Sequence, residues 1–207
     1  IKGVNPEKFT AAVFKIEGSK AEVENQRENL RTLSKKHEGV LAGESTGKSG
    51  YLATMVIAYI RELIFTQNVL GETMETAVPW SKINQVKSEA QKLIVQLHKE
   101  NKLPGKPFFT SRISKIYHTG VCMYNTIAMS FEGIKNPEDV FTSIEHKMRE
   151  NFIQNGGSIS HHHGVGKLRK DFMQDTISES SIKMVRGIKQ AQDPKNIFGV
   201  RNNIVLK

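Results

Sequence analysis

Three consecutive imidazoles, His161-His162-His163, stand inside the glycine-bracketed stretch Gly156-Gly157-Ser158-Ile159-Ser160-His161-His162-His163-Gly164-Val165-Gly166-Lys167. Glycine permits a close-approach loop, and imidazole is the side chain that exchanges protons near neutral pH. Such a loop suits proton transfer or contact with a cofactor. It is no expression tag, because the run is internal and only three residues long. A metal centre is the rival reading. Adjacent side chains diverge, so at most two of the three reach one ion, and no carboxylate or cysteine follows at ligand spacing. The expectation is no metal; an inert histidine-rich loop is the plain structural alternative.

Other side chains carry weaker signals. Tyr124 follows Cys122-Met123 in an apolar stretch, where a tyrosine ordinarily packs in a core with its hydroxyl hydrogen-bonded. A phenol, with a reference pKa of about 10, works as acid or base only beside a group such as a flavin, a histidine or an arginine. Arg61 follows the apolar run Val56-Ile57-Ala58-Tyr59-Ile60, and a guanidinium buried there needs an anion. Glu62 or Glu72 could supply it, or a substrate phosphate gripped bidentately; spacing leaves both open. Asp193 to Asn203 reads as a turn, an Ile-Phe anchor and a polar tail. It is either a simple C-terminal tuck or a place where Arg201 and Asn202 donate to an anionic or carbonyl group. Gly43 to Ser49 (GESTGKS) fails the phosphate-loop pattern, since Ala42 stands where the first glycine is required, and reads as a surface loop.

The elements that must position these residues follow from periodicity. A strand is expected over Thr10 to Glu17, with Ala12, Phe14 and Ile16 on one face. Ser19 and Glu22 then form a capping box opening a helix whose inner stripe is Val23, Gln26, Leu30 and Leu33, closed by Gly39. A second helix, Tyr51 to Phe65, is apolar nearly all round and so expected to be buried. Leu70 to Trp80 reads as a strand ended by Pro79. Ser81 to Glu100 is the clearest amphipathic helix, with Ile83, Val86, Ala90, Leu93 and Leu97 inward. Strands are expected from about Phe108 to Tyr117 and Val121 to Phe131. A helix starting at Pro137 buries Val140, Ile144, Met148 and Phe152, and a last one covers about Ser178 to Gln192. The order βαββ implies an α+β fold, an antiparallel sheet covered by helices.

Whole-chain quantities bound the function classes. The 207 residues, 38% hydrophobic and 25% charged, suit one large domain or one domain plus an appendage. A net charge of +9 favours anionic partners. The basic residues are scattered, though, and the 7% aromatics are not interleaved with them as a single-strand platform requires. Nucleic acid is therefore not expected. The lone Cys122 excludes an internal disulfide framework. The longest apolar run, Tyr51 to Ile60, is about half the ~20 residues that span a bilayer, which leaves peripheral membrane contact open.

Four stretches carry a resemblance to a known family: Gly50 to Leu63 (GYLATMVIAYIREL), Val69 to Trp80 (VLGETMETAVPW), Gly157 to Lys170 (GSISHHHGVGKLRK) and Asp193 to Asn202 (DPKNIFGVRN). Together they resemble the C-terminal half of the alkyldihydroxyacetonephosphate synthase family, FAD enzymes of the vanillyl-alcohol-oxidase type. The resemblance implies that residues 1–207 are a substrate-binding cap region whose last segment, about 193–207, returns towards the flavin, with the FAD-binding domain preceding Ile1. It implies exchange of the acyl chain of acyl-dihydroxyacetone phosphate for a long-chain fatty alcohol, without net redox, in ether-lipid synthesis. Tyr124 matches the catalytic tyrosine, His161, His162 and His163 the required histidine run, Arg61 the substrate-phosphate arginine, and Val200, Arg201, Asn202, Asn203 and Ile204 an activity-related tail. It further implies a homodimer in peroxisomes or glycosomes, and a chain that, alone, neither retains flavin nor turns over. Two alternatives stand beside it: the cap of a flavin-linked 2-hydroxy-acid dehydrogenase, and a non-catalytic basic binding module.

Overall fold

Ser19 and Glu22 cap each other as their spacing predicts. The Ser19 side chain accepts from the Glu22 backbone N–H, and the Glu22 carboxylate accepts from the Ser19 N–H at 2.8 Å. This starts helix α1 (Lys20–Lys36) in a computed structural model that describes residues 10–200 and Asn202, the side chains at positions 57, 58 and 61 excepted. The chain forms two compact units, Ile1–Leu63 and Ile64–Lys207.

The first unit departs from expectation in three places. Residues 10–17 form no strand. An isolated extended segment leaves its N–H and C=O groups unpaired, and alternation alone supplies no partner. Helix α2 (Glu44–Thr66) begins two turns early, so Glu44 to Ser49 is helical rather than a loop, with Gly43 just before it. Gly47 thus sits inside a helix rather than in a phosphate-cradling loop, in keeping with the missing first glycine. Most described apolar side chains of α2 are not enclosed: Leu52, Tyr59 and Leu63 are all more than 60% exposed. An all-round apolar helix is buried only when another layer covers it, and α1 contributes no buried residue.

The second unit matches the expected order. Strand β1 (Val69–Pro79), helix α3 (Ile83–Glu100), strands β2 (Phe108–Ile116) and β3 (Gly120–Ser130) and helix α4 (Pro137–Gln154) build a three-stranded antiparallel sheet, β1-β3-β2. Met74 and Val78 of β1 and Met123, Ile127 and Met129 of β3 point to one face at period two. There they meet Val86, Ala90, Ile94 and Leu97 of α3 and Ile144, Met148 and Phe152 of α4. Each large side chain so buried contributes roughly 1.5–3 kcal/mol, which makes this face the core. No helix among the described residues is long and apolar enough to cross a membrane.

After α4 the chain wraps the free edge of β1. Ser158 donates its N–H to the Ala77 carbonyl at 3.0 Å, and its Oγ accepts from the Ala77 N–H at 2.8 Å. The edge of the sheet is thus covered. A second small core of Ile159, Phe172 and Met173, with Val165 packed against it, holds the segment on either side of the histidine run. Short helix α5 (Met173–Thr176) leads into α6 (Glu179–Gln192), capped by Ser178, whose side chain accepts from the Ser181 N–H.

Candidate active site

The face of the sheet turned away from α3 and α4 carries one cross-strand row, Glu75–Tyr124–Arg112, set by the register of β1, β3 and β2. The residues of this row differ in chemistry: a carboxylate, a phenol and a guanidinium. The Arg112 guanidinium carbon lies 4.6 Å from the centroid of the Tyr124 ring, a cation–π contact. The Tyr124 hydroxyl donates to Thr73 Oγ1 at 3.1 Å.

Glu75 organises the histidine run. Its side chain is fully buried, which an ionised carboxylate tolerates only with several donors. Ser160 Oγ donates to it at 2.9 Å, and three successive backbone N–H groups follow: His161 at 3.0 Å, His162 at 3.0 Å and His163 at 2.7 Å. Burial pushes the Glu75 carboxyl up. The His163, His162 and His161 N–H groups and the Ser160 hydroxyl together outweigh it, holding the group below the usual carboxylate range. With the backbone of the run committed to Glu75, the three rings project from the loop.

The rings meet tyrosines. His162 stacks on Tyr124 with centroids 5.9 Å apart and a 22° interplanar angle, and His163 sits edge-on to the same ring at 5.5 Å. His161 Nε2 is 2.8 Å from the Tyr117 hydroxyl, and its Nδ1 is 3.0 Å from His162 Nδ1. His163 Nδ1 turns to Glu75 at 3.6 Å. Cys122, one β3 position pair from Tyr124 and fully buried, brings its sulfur within 4.0 Å of His162 Nδ1. Phenols and imidazoles in contact form a set of proton donors and acceptors along which a proton can pass.

Behind the run, Arg169 is buried and its Nη1 donates to the Gly164 carbonyl at 3.1 Å. Gly164 itself has φ +77°, a conformation that glycine adopts without strain. Gly157 is required for a different reason. A Cβ there would lie 2.4 Å from Thr76 Oγ1 and 3.0 Å from the Phe152 carbonyl, because the chain passes hard against β1 before turning over its edge.

The structure therefore brings together Tyr124, His161, His162 and His163. Arg61 lies in α2, with its side chain outside the described residues, and Arg201, Asn203 and Ile204 are likewise outside them. Val200 and Asn202 are exposed, and the Asn202 N–H donates to Gly199 O at 2.9 Å. The Ile-Phe pair before them is no anchor: Ile197 is 64% and Phe198 73% exposed. What fixes this turn is Asp193. Its carboxyl is lowered to about 2, first by Lys189, then by the Ile197 N–H, against the effect of burial, with the Phe198 N–H adding to the lowering. Glu75 and Arg112 are site residues that sequence reasoning passed over. The signal was parity: once Tyr124 is placed on the open face, its cross-strand partners join it.

Residues 2–201 match the family model described as FAD linked oxidases, C-terminal domain. Alkyldihydroxyacetonephosphate synthase of Caenorhabditis elegans is 36% identical over 98% of this chain and 34% of that protein. The enzyme of the same name from Dictyostelium discoideum is 28% identical over 93% and 31%, respectively. The chain thus spans about a third of the length of these curated relatives. A solved structure of alkyldihydroxyacetonephosphate synthase superposes with a TM-score of 0.61 at 20% identity, covering 88% of this chain and 30% of that one, a likeness of fold.

Proposed function

Because the chain belongs to the C-terminal domain family of FAD linked oxidases, we propose that it supplies the substrate-binding half of an FAD enzyme of ether-lipid synthesis. In this reading the acyl chain of acyl-dihydroxyacetone phosphate is exchanged for a long-chain fatty alcohol. The observation that carries it is the meeting of Tyr124 with His162 and His163 on the open face of the sheet. The relatives named above support the substrate class by their names.

The open face fits a flavin as neighbour: it presents aromatic rings and donors rather than a packed apolar layer. When bound, FAD supplies an electron-poor ring system at which the substrate carbon can be held during the exchange. The chain's own residues do the rest. In the proposed route a proton leaves and returns at the carbon that carries the exchanged oxygen, made acidic by the adjacent carbonyl, and this needs a positioned base. His162, stacked on Tyr124, takes that role, with Tyr124 as the proton donor or acceptor whose hydroxyl is oriented by Thr73. Glu75 keeps the loop, and so the rings, in place. Arg61 is assigned to the substrate phosphate, and Val200, Arg201, Asn202, Asn203 and Ile204 to an activity-related tail. The dimer and peripheral membrane contact belong to the same proposal.

The test uses the flavin-loaded holoenzyme that contains this chain, with acyl-dihydroxyacetone phosphate and labelled fatty alcohol. Label should enter an ether product, and Tyr124→Phe should lower that rate by about 10²–10⁴-fold with FAD still bound. Bleaching of the flavin by lactate or glycolate, without label incorporation, would instead assign the chain to a hydroxy-acid dehydrogenase.

A further inference from the structure

The histidine loop and β3 together supply what the loop alone lacks for a metal. Spacing along the sequence offers no third ligand, but the fold lifts Cys122 into place. Cys122 Sγ and a ring nitrogen from each of His161 and His162 all lie within 4.8 Å of one another. Two of the separations are 3.0 Å between the two Nδ1 atoms and 4.0 Å from sulfur to His162 Nδ1. Around a tetrahedral zinc, with metal–nitrogen bonds of about 2.0 Å and a metal–sulfur bond of about 2.3 Å, such atoms stand roughly 3.3–3.6 Å apart. Those two separations reach that geometry with shifts of about half an ångström, and the third, from sulfur to the His161 nitrogen, lies within 4.8 Å and closes by about 1 Å at most.

Neighbouring groups prepare the ligands. His161 faces Tyr117 through Nε2 at 2.8 Å. A proton on that nitrogen, donated to the phenol oxygen, leaves Nδ1 free to bind; the phenol takes the place that a carboxylate, carbonyl or water usually holds behind a metal-bound imidazole. Glu75 is saturated by backbone donors and the Ser160 hydroxyl, and His163 turns its Nδ1 to Glu75. Neither is needed as a ligand.

We propose that Cys122, His161 and His162 form a binding site for a divalent ion of the zinc class, with one coordination position left open. A thiolate with two imidazoles selects zinc, or cobalt as its spectroscopic stand-in, over magnesium or calcium. Binding forms one metal–sulfur and two metal–nitrogen bonds, and the Cys122 thiol proton passes to solvent. The ion takes His161 and His162 out of proton transfer, so under the function proposed above zinc acts as an inhibitor of the site, not as its catalyst. The binding itself does not depend on that function.

Titrating the purified 207-residue chain with Co²⁺ tests the site directly. The expected result is the near-ultraviolet sulfur-to-cobalt charge-transfer band with visible tetrahedral bands, saturating at one ion per chain and displaced by Zn²⁺. Cys122→Ser should abolish the charge-transfer band, His162→Asn should weaken binding at least tenfold, and Tyr117→Phe should weaken it about tenfold. His118→Asn, altering an exposed histidine outside the cluster, should bind like the parent. Circular dichroism establishes that each variant is folded. A parent chain that shows no sulfur charge transfer, or a folded Cys122→Ser chain that binds cobalt with the parent spectrum, overturns the proposal. Neither result bears on whether the holoenzyme exchanges alkyl for acyl.

Discussion

Replacing Glu75 by glutamine keeps its volume but sets an amide NH₂ where four donors converge on a carboxylate. One backbone N–H of the histidine run then faces another donor in a buried place. The cost should be about 3 kcal/mol, the scale of a lost charge-assisted bond plus an unpaired buried donor. Denaturant unfolding of Glu75→Gln measures it; a change under about 1 kcal/mol contradicts the clamp. The same group sets an acid limit. Its folded-state carboxyl is depressed, so its stabilisation is complete above the unfolded value of about 4.3. It fades as pH falls through the lower folded value. The parent should therefore lose stability below about pH 4 more steeply than Glu75→Gln. Equal acid slopes would show that Glu75 is not the group responsible.

At the scale of elements, the second unit was legible because each piece carries its own period. Val86, Ala90 and Leu97 recur at helical spacing and are buried where that stripe predicts, and Pro137 stands at the start of α4. The strand expected over residues 10–17 failed because alternation in Ala12, Phe14 and Ile16 specifies a face but not a partner. Helix α2 was misjudged in both extent and burial, since glycine at Gly47 lowers helix propensity without forbidding helix, and hydrophobicity alone does not say what covers it. Tyr124 and the histidines could be singled out by type. Glu75 could not, because its role depends on the loop after α4 returning over β1, a contact spanning 88 residues between Glu75 and His163. That return depends on Gly157. Gly157→Ala should displace Thr76, break its bond to the Ser158 carbonyl and cost about 1–3 kcal/mol by overpacking. A thermal melt matching the parent would mean that the loop can pass the edge at a greater distance.

Across the whole molecule, the buried apolar residues of both cores belong to residues 64–207. Amide hydrogen exchange should therefore be slowest in β1, β3, α3 and α4, and faster in α1, which has no buried residue. Equal protection in α1 and α3 would contradict this division.

The central claim is that Tyr124 and His162 move the proton at the carbon beside the substrate carbonyl. Deuterium wash-in at that carbon, followed by mass spectrometry in heavy water with the flavin-loaded holoenzyme, measures this step apart from product formation. The parent should incorporate deuterium, and Tyr124→Phe and His162→Ala should each lose it by about 10² or more while retaining FAD absorbance. Wash-in at the parent rate in either variant would place the proton chemistry elsewhere.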